Sequence, residues 1–161
     1  MELNVDIIGV QMDWGASKRG ACMGPAAIRF GGLREGLEQQ GYSVWDKEDI
    51  LSPLTGEERE NLRHCGQVTE VNRRLYQSVT ETLEANHFPI VLGGDHSIAA
   101  GSISAVSKHF DGHIGVIWID AHGDWNDETS SSSGNMHGMP FSARCGCDHA
   151  GSCAGYRHCS S

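Results

Sequence analysis

Two short apolar runs, Ile90-Val91-Leu92 and Ile114 to Ile119, each end directly in a cluster of acidic and imidazole side chains. This repeated arrangement constrains the fold more than any other feature. Ahead of the first run, Leu62, Val68, Val71, Leu75, Val79 and Leu83 recur at spacings near 3.6, so residues 57–86 predict an amphipathic helix. Pro89 then closes the connection into a strand at Ile90–Leu92. Between the two runs, Ser97 to Phe110 predicts a second helix with Ile98, Ile103 and Val106 inward, followed by a strand over Ile114–Ile119. Strands alternating with helices indicate an α/β fold, a parallel sheet with flanking helices. Such sheets hold ligands beyond the carboxyl ends of their strands, where both clusters lie.

The N-terminal part fits the same scheme. Val5 to Val10 is an apolar run expected as a buried first strand. The loop Gly15–Gly24 carries Lys18 and Arg19, and Pro25 suits a first helical turn. Ala26, Ile28, Phe30, Leu33 and Leu37 give a helical stripe interrupted by Gly31-Gly32, and Tyr42 to Trp45 suggests a short strand. A chain of 161 residues fits one domain.

The second cluster reads Asp120-Ala121-His122-Gly123-Asp124. If extended backbone persists past the strand, Asp120, His122 and Asp124 share one face, because strand side chains alternate. Two carboxylates and an imidazole suit a divalent cation that takes oxygen and nitrogen ligands, such as manganese. Gly93-Gly94-Asp95-His96-Ser97, at the end of the other run, offers His96 as a fourth donor. Taken singly these residues have plainer readings: an aspartate at a strand end often caps a turn, and a lone histidine more often packs than ligates. Metal-assisted hydrolysis is the leading chemistry. His64, His87, His109 and His113 read as surface or boundary residues, and Trp118 and Trp125 as packing residues.

A net charge of −9 argues against nucleic acid as partner. No apolar run approaches the ~20 residues of a spanning helix, and Met1–Val10 lacks a basic segment ahead of an apolar one, so no membrane association and a cytoplasmic location are expected. After Asp124 the polar stretch Asn126–Asn135 reads either as a surface linker or as a loop that embraces substrate.

Cys145, Cys147, Cys153 and Cys159 crowd the end of the chain. Their spacing lacks the paired C-x2-C of structural zinc sites. From Arg144 onward apolar periodicity disappears, and a shifted reading frame explains this tail better than a zinc knuckle does. The domain reading is therefore 1–143 as one folded unit and 144–161 as an unrelated, disordered tail.

The motifs Arg19-Gly20 with Met23-Gly24-Pro25, Gly93-Gly94-Asp95-His96-Ser97, Asp120-Ala121-His122-Gly123-Asp124 and Ser133-Gly134-Asn135-Met136-His137-Gly138-Met139-Pro140 occur in one order along the chain. In this combination residues 3 to about 143 resemble the N-terminal half of the arginases, the manganese ureohydrolases that convert L-arginine to L-ornithine and urea, and among them the bacterial, Bacillus-type enzymes. The resemblance implies a three-layer fold of the arginase/deacetylase kind, truncated. It implies a two-manganese (Mn2+) cluster with His96, Asp120, His122 and Asp124 as metal ligands. It also implies His137 as the catalytic proton shuttle, and Asn126, Ser133 and Asn135 as binders of the α-carboxylate and α-amino groups. Family members form homo-oligomers.

The arginases run to roughly twice this length. The remaining aspartate ligands and a downstream glutamate belong to the second half, so the metal cluster is expected to be open and activity low. Other readings are a ureohydrolase acting on agmatine, guanidinobutyrate or formiminoglutamate, a non-catalytic metal-binding fragment, or a zinc deacetylase of related fold. The Ser133–Gly138 run speaks against the deacetylase.

Overall fold

The computed structural model describes residues 3–56 and 61–142. Strand β1 (Asn4–Gln11) is the axis of a parallel sheet. Strands β2 (Ser43–Asp46) and β4 (Phe88–Leu92) both pair with Val5–Ile7 and so flank β1 on opposite sides, while β3 (Ile50–Leu51) pairs with Val10 and Gln11. A strand buried on both faces needs apolar residues in both phases, and β1 supplies them. Ile8, Val10 and Met12 pack with Val68, Val71, Leu75 and Val79 of helix α3 (Cys65–Glu84) and Ala105 of α4 (Ala99–His109). Val5 and Ile7 pack on the other face with Val44, Leu92 and the partly buried Leu33 and Leu37 of α2 (Leu33–Gln39). Helices thus cover both faces of a parallel sheet, as expected. Helix α1 (Gly24–Phe30) carries Pro25 in its first turn and is separated from α2 by Gly31-Gly32, Gly32 adopting a left-handed φ of 86°.

One polar group interrupts this core. Asp6, at 3% exposure, accepts a hydrogen bond from Thr82 Oγ1 at 2.8 Å and pairs with Lys47 Nζ at 3.0 Å and His87 Nδ1 at 2.7 Å. Burial pushes the Asp6 pKa up, but the bonds from His87, Lys47 and Thr82 outweigh it and hold it below the usual carboxylate value. His87, partly buried at the boundary as expected, is therefore also a structural partner, with its ring stacked on Trp45 at 4.7 Å.

Several sequence expectations require correction. The expected strand Ile114–Ile119 forms no ladder among the described residues, and Ile117 and Ile119 are about nine-tenths exposed (89% and 94%). A strand exists only where a neighbour takes its backbone hydrogen bonds, and the apolar pattern does not report whether that neighbour is present. The long helix begins at Cys65, because His64 ahead of it sits at φ 54° and breaks the helical path; residues 57–60 lie outside the described residues. Pro89 is inside β4, a position that proline tolerates near a strand's start or at a sheet edge. Phe30, placed on the inward stripe, is 96% exposed. The cysteine-rich tail 144–161 lies outside the described residues. Among those described, no helix is long and apolar enough to cross a membrane.

Candidate metal centre and cleft

The carboxyl end of β4 leads into a tight turn. Gly94 has φ 23°, and a Cβ there would meet the Met12 carbonyl oxygen at 2.6 Å, so glycine lets the turn pass against the end of β1. Asp95 follows in extended conformation and caps the short 3-10 turn His96–Ile98 by accepting from Ser97 N at 2.9 Å. This turn presents His96 at the surface, with Trp118 edge-on to its ring at 5.4 Å.

His96 Nδ1 lies 2.7 Å from Asp120 Oδ2 and 3.1 Å from Asp124 Oδ2. The donor atoms of His96, Asp120 and Asp124 all fall within 4.8 Å of one another. His122 stands outside that group: its ring is 81% exposed, with Nδ1 3.2 Å from Asp120 Oδ1. The convergence does not arise from strand alternation. The chain bends at Asp120–His122, where the His122 amide donates to Asp120 Oδ1 at 2.8 Å, and Asp124 takes a left-handed φ of 47°. That amide, chiefly, holds the Asp120 carboxyl below its ordinary pKa, with the charges of His96 and His122 adding to it. One imidazole nitrogen and two carboxylates at mutual contact distance match the donor preferences of a divalent cation of the manganese or zinc kind.

A cleft of ≈ 440 Å³ opens beside this cluster, lined by His122, Asp124, Asn126, Ser133, Asn135 and His137, among other residues. The polar stretch after Asp124 forms its wall. Asp127 accepts from the Thr129 hydroxyl at 2.7 Å and from the Thr129 and Ser130 amides, a self-capped turn that depresses the Asp127 pKa, the Thr129 hydroxyl most of all. The return limb is tied to the outgoing one: Asn126 N donates to Gly138 O at 3.1 Å and Phe141 N to Asp124 O at 3.4 Å. Of the two readings of this stretch, its position favours the loop around a cleft over the linker.

The N-terminal loop joins the site as well, which the sequence did not reveal. Asn135 Nδ2 donates to Ser17 Oγ at 2.6 Å, His137 N to Gly15 O at 3.0 Å, and Gly15 N to Asp95 Oδ2 at 2.8 Å. Only the D-x-S spacing of Asp95 and Ser97, a turn-capping pattern, hinted that Asp95 acts differently from the ligand candidates beside it.

Residues 3–160 match the profile described as the arginase family. The chain belongs to the arginase family. Arginase of Brevibacillus brevis is 46% identical over 151 residues, covering 92% of this chain and 50% of the relative. The crystal structure of Bacillus subtilis arginase superposes with a TM-score of 0.80 at 46% identity, over 87% of this chain and 47% of that one. Entamoeba histolytica arginase in complex with L-ornithine gives 0.78 at 36% identity, over 89% and 50%. The chain thus spans about half the length of the curated relatives it matches.

Proposed function

We propose that this chain is the metal-binding, substrate-orienting part of an arginase that hydrolyses L-arginine to L-ornithine and urea with manganese. The observation that carries the reading is the junction of two groups of residues. His96, Asp120 and Asp124 converge on one point, and the cleft beside them is walled by His122, Asn126, Ser133, Asn135 and His137. The named arginases among its relatives, and the L-ornithine bound by the Entamoeba histolytica protein, support the same substrate class.

His96, Asp120 and Asp124 would hold the manganese, with His122 completing the set from the exposed side. When bound, the metal acidifies water so that a nucleophile is available near neutral pH. His137, which also lines the cleft, moves protons between the reacting centre and solvent, a general acid–base role that an imidazole can fill. Asn126, Ser133 and Asn135 offer amide and hydroxyl groups to the α-carboxylate and α-amino groups of arginine. Asn135 comes preset, its amide nitrogen engaged by Ser17, which leaves its carbonyl oxygen toward an ammonium donor. The substrate sets this arginase reading against one for agmatine, which has no carboxylate for these groups to recognise.

A binding experiment separates the two without requiring turnover. With manganese present, L-arginine is expected to bind in isothermal titration calorimetry and agmatine to bind far more weakly. Equal or stronger binding of agmatine would overturn the arginine assignment. Urea release is expected to be low beside that of Brevibacillus brevis arginase, because the ligands that this chain supplies leave manganese short of its usual near-octahedral set.

A further inference from the structure

We propose that Asp95 is a positioning residue that locks the two sides of the candidate centre, His96 on one and His137 with Asn135 on the other, into one register through the loop at Gly15. The inference rests on the functional reading above and deepens it. Asp95 is 7% exposed and its carboxylate is fully engaged within the protein. Oδ1 accepts from the Ser97 amide at 2.9 Å and the Ser97 hydroxyl at 2.5 Å, and Oδ2 accepts from the Gly15 amide at 2.8 Å. Its own amide donates to Met12 O at 3.0 Å. A side chain that only capped the His96–Ile98 turn would need the Oδ1 bonds alone.

The Oδ2 bond reaches across the fold, joining residues eighty positions apart along the chain. Gly15 then passes the constraint on, because its carbonyl accepts the His137 amide at 3.0 Å. Two residues further along the same loop, Ser17 Oγ receives the Asn135 amide nitrogen. The sequence of contacts is therefore His96, bonded in chain to Asp95, then Gly15, then His137, with Ser17 and Asn135 as a parallel arm. A carboxylate is the side chain for this position, because every group facing it is a donor; an amide there would set its own N–H against one of them. Gly15 is equally constrained. A Cβ on it would stand 2.5 Å from Asp95 Oδ1 and 2.6 Å from Ser97 Oγ.

The test uses the full chain, 15N-labelled. Asp95→Asn is expected to weaken Mn2+ binding, followed by electron paramagnetic resonance of free manganese, by about 10–100-fold, the usual loss when a partner that orients a ligand is removed. In the metal-free protein the same change should shift the His137 and Gly15 amide resonances. Ser97→Ala keeps the Gly15 bond, so it should weaken manganese binding while leaving the His137 amide in place. Gly15→Ala pushes on the carboxylate from the loop side without altering charge and should reproduce both effects of Asp95→Asn. If Asp95→Asn does not fold, judged by circular dichroism, the contrast between the other two variants decides. An unmoved His137 amide in Asp95→Asn, or in Gly15→Ala, would reduce Asp95 to a local turn cap and overturn the proposal. If the unaltered chain takes up no manganese, the functional reading fails, while the metal-free His137 shift still judges the coupling.

Discussion

Two buried or half-buried carboxylate clusters at opposite ends of the sheet make opposite demands on their surroundings. Asp6 is satisfied wholly by the protein, by Thr82, Lys47 and His87. Its folded-state pKa lies below the ordinary value of 3.8, so its ionised form stabilises the fold. That contribution is complete above the unfolded value near 4 and is lost as pH falls through the depressed folded value. Urea unfolding should therefore show stability falling as pH drops from 5 to 3, and Asp6→Asn should flatten that dependence. The same substitution should cost about 1–3 kcal/mol at pH 7, because it leaves the Thr82 hydroxyl and the part-exposed Lys47 without their charged acceptor. At the other end, Asp120 and Asp124 face each other across only the His96 imidazole. Two carboxylates so close call for a cation. Manganese at a hundred times its dissociation constant is expected to raise stability by about 2.7 kcal/mol, read as a thermal shift. Asp124→Asn should abolish most of that gain, and a full gain in the variant would remove Asp124 from the site.

Helices α3 and α4 decide how firmly the His96 turn is held. Asn72 of α3 donates to the Ser97 carbonyl at 3.0 Å and accepts from the Gly101 amide at 2.7 Å, bonding one helix to the start of the next. The contact needs a bare Cα at Gly101, since a Cβ there would lie 2.6 Å from the Asn72 carbonyl oxygen. Alanine in a helix interior gains up to about 1 kcal/mol over glycine in intrinsic propensity. Here overpacking against backbone costs about 1–3 kcal/mol and should prevail. Gly101→Ala is thus expected to lower the urea midpoint and to loosen manganese binding together. A stabilised variant with unchanged metal affinity would show that the helix pair yields without disturbing the turn. The 3.6 periodicity of α3 was plain in the sequence, but the reach of Asn72 was not, because a buried asparagine on a helix has no pattern of its own.

At the scale of the whole molecule, β1 is enclosed by β2 and β4, while Val116, Ile117 and Ile119 are exposed on a segment without a ladder partner among the described residues. Unpaired backbone beside exposed β-branched side chains invites pairing with another chain. The protein is expected to self-associate with rising concentration, and Ile117→Lys with Ile119→Lys should keep it monomeric in light scattering. A protein already monomeric at high concentration would show that this segment is protected.

The α/β class, the β1 core run and α3 were legible in the sequence, because each depends on residue type and short spacing alone, and residue type marked His96, Asp120, His122 and Asp124 as donor candidates. Tertiary structure alone decided three things: that Ile114–Ile119 lacks a strand's hydrogen bonds among the described residues, that Asp120 and Asp124 meet His96 through a bend and not through alternation, and that Gly15 and Asp95 tie the walls of the cleft together. The first and third are hydrogen bonds, missing or made, between segments far apart in the chain, and the second is a local bend that brings Asp120 and Asp124 to a distant histidine. Such bonds depend on which backbone groups come face to face in space, and spacing along a sequence carries no record of that.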